Sequence, residues 1–276
     1  TSSPLNRARL RRRGERWFTG AVVVVALLLV LVPVGALVER SLHGADGYTL
    51  AFYRALGQNS SGSAIFTTPR AAVEHSLGFA FLTLLLSLPI GTLAAYGSLR
   101  FRRYGAWVEA LLLVPLGVSA ITLALGFIVT LDSPPLDLRA SWWLVVIAHT
   151  LAAYPFVTRA VGVPLRTMDP HLREAARTLG AGPLRVFVAI DLPLIWRSIV
   201  VGGVFALATS MGEFGATLLI ARPEWTTLPV AIYRYFGRPG SVNYGEGLAM
   251  SVVLMAVTAA GFLVIDRLRI RGLAAL

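Results

Sequence analysis

Six long apolar runs, separated by shorter polar stretches, set the pattern of this chain of 276 residues. They fall at about 17–38, 75–99, 106–131, 141–161, 197–221 and 247–265. Each is close to the roughly 20 apolar residues that a helix needs to cross a bilayer core, except that a glutamate interrupts the fifth. The pattern predicts an all-α membrane protein with six transmembrane helices. Trp17 stands where an interfacial aromatic anchor is expected. Pro33 should bend the far end of the first span. Pro89, Pro115 and Pro155 lie inside later spans, either as hinges or simply tolerated because neighbouring groups re-satisfy the freed carbonyls. The first run is uncharged and no small-x-small cleavage site follows it, so it reads as a retained span rather than a signal peptide. Residues 39–74 form a long polar stretch with a short amphipathic piece around Tyr48 to Leu56. The stretch 222–245 carries Arg222, Trp225, Tyr233, Tyr235 and Phe236, which suit either interface anchoring or contact with a partner protein.

Charge then assigns sides. All 25 basic residues are arginine. Eighteen of them lie in the N-terminal segment, the turn after the second span, the 159–197 stretch and the C-terminal tail, and 7 lie in the alternate loops. The positive-inside rule therefore puts both termini and the 162–196 loop in the cytoplasm. The expected organisation is a basic cytoplasmic N-terminus over 1–16, one six-span domain over 17–266, and a cytoplasmic tail over 267–276. In a soluble protein a net charge of +11 would suggest nucleic acid, but these arginines are sorted by membrane side. Arg7, Arg9, Arg11, Arg12, Arg13 and Arg16 read as a topological anchor. With 56% hydrophobic and 14% charged residues, the chain is too apolar for a soluble domain, whose charged fraction is about 25%. There is no cysteine, hence no thiolate metal site and no cysteine nucleophile. There is no lysine either, so a Walker A loop and Schiff-base chemistry have no place here. If ATP drives this protein, another chain hydrolyses it. A start at Thr1 instead of methionine suggests a trimmed protein or one segment of a longer polypeptide.

The loop 162–196 has its own grammar. Asp169 is a good N-cap, and Pro170 fits the first helical position. Leu172, Ala175, Ala176 and Leu179 share one helical face. Gly180 and Gly182 supply a stop, and Pro183 opens a second short helix. A helix–turn–helix is therefore expected between the fourth and fifth spans. Its residues Glu174, Ala175, Ala176, Gly180, Ile190, Leu192 and Pro193 keep the spacing of the "EAA loop", and the chain resembles the permease subunits of binding-protein-dependent type I ABC importers. That resemblance implies an ATPase-coupling role for Leu172, Glu174, Ala175, Ala176, Leu179, Gly180, Ile190, Leu192 and Pro193. The implied partners are cytoplasmic ABC ATPase subunits, a second permease unit (another copy, a homologous chain or a fused half) and an extracytoplasmic substrate-binding protein. ATP and Mg²⁺ would sit on the ATPase, with no cofactor and no catalytic residue in this chain. On the residues alone, the same short helix also fits packing on the ends of its own spans.

Glu213 lies within the fifth span, where a carboxylate costs about 2.5–3.5 kcal/mol on insertion scales, so it should face protein or water. Thr209, Glu213 and Thr217 recur every four residues and form one expected polar stripe, read either as a substrate pathway or as a structural hydrogen-bonding seam. Gly202, Gly212 and Gly215 would permit close helix contact. Glu109 is expected at the interface, and His149 as a hydrogen-bonded bundle residue, since no second ligand is spaced with it as a metal site. Ser210 to Gly215 resembles the fifth span of thiamine, iron and molybdate importer permeases. Thr227-Leu228-Pro229 with Ile232-Tyr233 is most similar to the thiamine/iron(III) branch. That resemblance implies thiamine or iron(III)-type cargo, with molybdate, sulfate or another small solute as the alternative. Two further classes fit the sequence less well. A polytopic lipid transferase needs paired carboxylates for Mg²⁺, and none are spaced for it. An ATP-independent secondary transporter would show inverted repeats or several intramembrane charges.

Overall fold

A computed structural model describes residues 13–44, 47–57, 67–100 and 105–274. Arg7, Arg9, Arg11, Arg12, Arg102 and Arg103, which helped to set the expected orientation, lie outside the described residues. The chain opens with α1 (Arg13–Ser41), a two-rung antiparallel pair β1 (His43–Gly44) and β2 (Gly47–Tyr48), and the short α2 (Ala51–Ala55). Then follow α3 (Pro69–Arg100), α4 (Gly105–Gly117), α5 (Ala120–Thr130) and α6 (Trp143–Thr167). The cytoplasmic loop expected from sequence contributes α7 (Pro170–Thr178), α8 (Pro183–Val186) and a π turn, Phe187–Asp191. The chain continues through α9 (Leu192–Gly212), α10 (Gly215–Ile220), a 3₁₀ turn (Pro223–Trp225), α11 (Leu228–Phe236) and α12 (Ser241–Ala274).

Three helices make the centre: α6 packs between α3 and α9, and those two also touch each other. Small residues permit it. A Cβ on Gly91 of α3 would stand 2.6 Å from Cβ of Val157, and one on Gly202 of α9 would stand 3.0 Å from its Cα. Real side chains do not approach so closely, so glycine is what lets both neighbours close on Val157 of α6. Ala95, Ala153, Val161, Ile195 and Ala206 complete this fully buried layer. Nearer the other end, Phe79, Leu144, Val146, Ala216 and Ile220 form a second layer, closed by α5 and α10. Tyr154 of α6 donates its hydroxyl to the Leu112 carbonyl of α4 at 2.6 Å, three residues before Pro115.

Among the described residues, α1, α3, α6 and α12 are each long and apolar enough to cross a membrane. The pair α4–α5 adds a fifth crossing if it is taken as one span. That third run is not one straight helix: it bends by 98° between Gly117 and Ala120. Two helix-weakening residues, Pro115 and Gly117, sit at the bend, and Ser119 takes extended backbone before α5. The fourth span runs on to Thr167, past the expected boundary at 161, and Arg166 there pairs with Glu109 of α4. The stretch 222–245 is more than a surface loop. Its α11 buries Leu228, Val230, Ala231 and Tyr235 against α3 and α12, and the Leu228 N–H donates to Ser76 Oγ at 2.7 Å. Helix α12 starts at Ser241, earlier than expected, and thereby encloses Glu246 completely.

Candidate functional site

Two groups of residues carry chemistry, and they lie at different levels of the bundle. The first is the loop helix α7. The Asp169 carboxylate accepts the His171 N–H at 3.0 Å, capping one orphan donor, and Pro170 stands at the helix start. At the far end Gly180 takes φ +81°, its N–H reaching the Arg177 carbonyl at 2.9 Å while the Ala181 N–H reaches Ala176 at 3.0 Å. This is a Schellman stop, which needs a residue free to adopt left-handed backbone. Both ends of α7 are thus written locally in the sequence.

What α7 does not do is bury itself. None of its residues is buried. Leu172 is 47% exposed and Leu179 88%, and Leu184 of α8 adds a third open apolar side chain at 76%. Glu174 and Ala175 are exposed and Ala176 is half-buried. The Glu174 carboxylate meets its own helix neighbour, His171 Nδ1, at 3.2 Å. Ile190 and Leu192 are half-buried at the junction of the π turn and α9, where Pro193 sits in the first turn. The motif residues therefore divide into an open apolar and charged face on α7 and a packed root at α9.

Beneath that face, Arg173 Nε donates to Asp191 Oδ1 at 2.8 Å. The Asp191 side chain is only 5% exposed. Sequence reading missed this pair, because the partners stand 18 positions apart with no periodic relation. Tyr96 of α3 packs edge-on against Phe187, with ring centres 5.6 Å apart, and brings its buried hydroxyl beside Asp191 and Arg173.

The second group is a buried polar cluster between α3, α6, α9 and α10. Helix α9 ends at Gly212, so Thr209, Glu213 and Thr217 do not lie along one continuous helix. Glu213 caps α10 instead. Its Oε1 accepts the Ala216 N–H at 3.0 Å, and its Oε2 accepts the Thr217 N–H at 3.3 Å and the Thr217 hydroxyl at 3.1 Å. His149 then bridges Thr217 Oγ1 through Nε2 and Ser210 Oγ through Nδ1, both at 2.8 Å. The Thr217 hydroxyl thus links Glu213 to the imidazole, and Ser210 holds the other ring nitrogen. Ser210 also lies 3.4 Å from Thr83 Oγ1 of α3. Thr209 stands outside the cluster; Ser210, one position along, takes its place. Of the three glycines expected to permit close contact, Gly202 does so, while a Cβ on Gly212 would meet nothing within 4 Å. No group of three or more metal-ligating side chains occurs among the described residues.

Known proteins share the sequence and fold of this chain. Residues 87–270 match the family described as binding-protein-dependent transport system inner membrane component. The molybdenum transport system permease protein ModB of Escherichia coli K12 is 34% identical over 209 residues, 70% of this chain and 91% of that protein. A permease protein of Salmonella paratyphi A named for 2-aminoethylphosphonate transport, PhnV, is 31% identical over 203 residues, 69% of this chain and 76% of that protein. Among solved structures, a bacterial ABC transporter for import of the acidic polysaccharide alginate aligns with a TM-score of 0.73 at 20% identity, covering 94% of this chain and 96% of that one. The MetNI methionine ABC transporter aligns at 0.61 and 19% identity, covering 73% of this chain and 94% of that one. At such identities the structural likeness is one of fold, and the sequence matches carry the assignment. The chain belongs to the binding-protein-dependent transport system inner membrane components, as a multi-pass permease subunit of an ABC importer and not an enzyme in its own right.

Proposed function

We propose that this permease forms one half of a substrate pathway and takes its drive from a cytoplasmic ATPase through α7. The observation that carries this reading is the unburied face of α7 and α8. Leu172, Leu179 and Leu184 are left open by a chain that buries Val157, Ile195 and Leu228 completely. A nine-residue helix held at both ends, with its apolar side chains free, is built to bury them in another protein. Exposed Arg177 and Arg185 flank the leucines and suit an acidic rim on the partner. In this reading the fifth of six spans is α9 with α10, and the termini and α7 face the cytoplasm. A second permease unit and an extracytoplasmic binding protein complete the importer.

For the cargo, the reading is a small phosphonate or oxyanion, the chemistry in the names of the relatives, in place of the thiamine or iron(III)-type cargo expected from the fifth span. The state of Glu213 agrees. It is buried, and three of its roughly four acceptor sites are taken by donors from α10, so it is held as a structural group rather than displayed to a cation. One reconstitution tests both parts. Proteoliposomes with the ATPase and the cognate binding protein should take up molybdate or 2-aminoethylphosphonate on addition of ATP, and not thiamine. Leu179→Asp should abolish uptake and strip the ATPase during purification. Retention of both by Leu179→Asp overturns the coupling face, and thiamine uptake overturns the cargo assignment.

A further inference from the structure

The pair Arg173–Asp191 joins the two halves of the coupling motif without being among its residues. Arg173 immediately precedes Glu174, and Asp191 stands between Ile190 and Leu192. Helix α7 makes two side-chain contacts with carboxylates among the described residues. One, His171–Glu174, stays within the helix; Arg173–Asp191 leaves it. Since α7 buries no side chain, its apolar contact with the membrane bundle is slight. On the flank of the pair, packing gives way to a cleft of about 920 Å³, walled by Leu93, Tyr96, Leu184 and Phe187. Van der Waals contact that would otherwise tie α7 to α3 is missing there.

We infer that Arg173 and Asp191 are positioning residues: their ion pair is the strut by which displacement of α7 reaches the root of α9. Three observations converge on this. The contact is short, at 2.8 Å, and Asp191 is withdrawn from water, so counter-ions screen it little and it stays stiff. Asp191 closes the π turn, and the next residue, Leu192, begins α9; a pull on Asp191 is a pull on the helix that leads to the Glu213 break. Tyr96 lies beside both charges and against Phe187, so α3 meets the same junction from its other side. The glutamate and alanines of α7 then serve the partner, while Arg173 serves the permease.

The inference rests on the coupling role of α7, and the test separates the two. The double variant Arg173→Gln with Asp191→Asn removes the pair without stranding a buried charge. Arg173→Lys keeps the charge but loses the guanidinium fork. Each is purified with the ATPase and reconstituted, and three quantities are read: ATPase retained, ATP hydrolysed, and cargo taken up per ATP. The neutral pair should keep the ATPase and hydrolyse ATP while uptake per ATP falls by roughly 3- to 30-fold, the range in which residues along a coupling route act. Arg173→Lys should stay nearer the wild type than the neutral pair does. A neutral pair that transports at the wild-type ratio overturns the strut. So does a neutral pair that fails to insert or to hold the ATPase, because the residues would then build the fold or the docking face instead. Equal loss in Arg173→Lys also counts against it. Wild-type protein that neither binds the ATPase nor imports is a different failure, and sinks the coupling reading itself.

Discussion

Glu213 shows how a single buried carboxylate is reassigned by its surroundings. By position alone it is an expensive charge in a span. In place, it accepts two backbone N–H groups and a hydroxyl at the start of α10, the donors a helix leaves unsatisfied at its N-terminus. Glu213→Gln puts an amide NH₂ where one oxygen accepts, leaving buried donors facing a donor. The loss should be about 1–3 kcal/mol, read as earlier thermal unfolding in detergent. Unchanged stability with a raised KM for uptake would instead make Glu213 a cargo contact. His149 and Ser210 belong to the same story. A lone histidine in a span is ambiguous on paper, but here both ring nitrogens are taken, at 2.8 Å each. Nothing in the sequence ties His149 to positions 210 and 217, since only the packing of α6 on α9 and α10 brings them together.

At the scale of elements, the ends of α7 were legible and its partners were not. Asp169, Pro170 and Gly180 act through local backbone geometry, which a sequence states directly. Gly180 sits at φ +81° with open space around it, so a side chain there meets strain and no clash. For Gly180→Val the left-handed conformation alone costs roughly 1–2 kcal/mol, more for a β-branched residue. A nine-residue helix has little to spare, and the variant should show faster amide exchange over 170–179 and weaker ATPase retention. Exchange equal to wild type would show that the Schellman stop is dispensable. The breaks in the third and fifth runs were much less visible. Hydropathy averages over a window, so it cannot distinguish a straight span from α4 and α5 at 98°, or from α9 and α10 hinged at Glu213. The stretch 222–245 holds more than its aromatics suggest: Tyr233 and Phe236 stay exposed, as an interface anchor or a partner contact requires, while Leu228, Ala231 and Tyr235 pack α11 against α3 and α12.

For the whole molecule, orientation is the property with most resting on it. It follows from arginine sorting, and several of those arginines lie outside the described residues. The absence of native cysteine makes a direct check simple. Single cysteines at Tyr48 and Val242, exposed by 74% and 57%, should react with a membrane-impermeant maleimide added to intact cells. One at Leu179 should react only after the membrane is opened. The reverse pattern would invert the topology and detach α7 from any cytoplasmic ATPase. Helix α1 fits the same picture. Its apolar run is exposed from Trp17 to Pro33, and it packs chiefly on α12, as expected of a span whose solvent is lipid.

The sequence by itself determined the class of molecule: apolar runs of bilayer length, arginines grouped in alternate loops, and a loop helix whose cap, stop and apolar face are all local. Those properties depend on residues near one another in the chain, so they can be read along it. The tertiary structure alone decided which polar groups meet. His149 joined Ser210 to Thr217, Glu246 was enclosed, and Arg173 found Asp191. The pairing of His149 depends on how α6 and α9 close at Val157 and Gly202, a contact made by distant positions that no local pattern encodes.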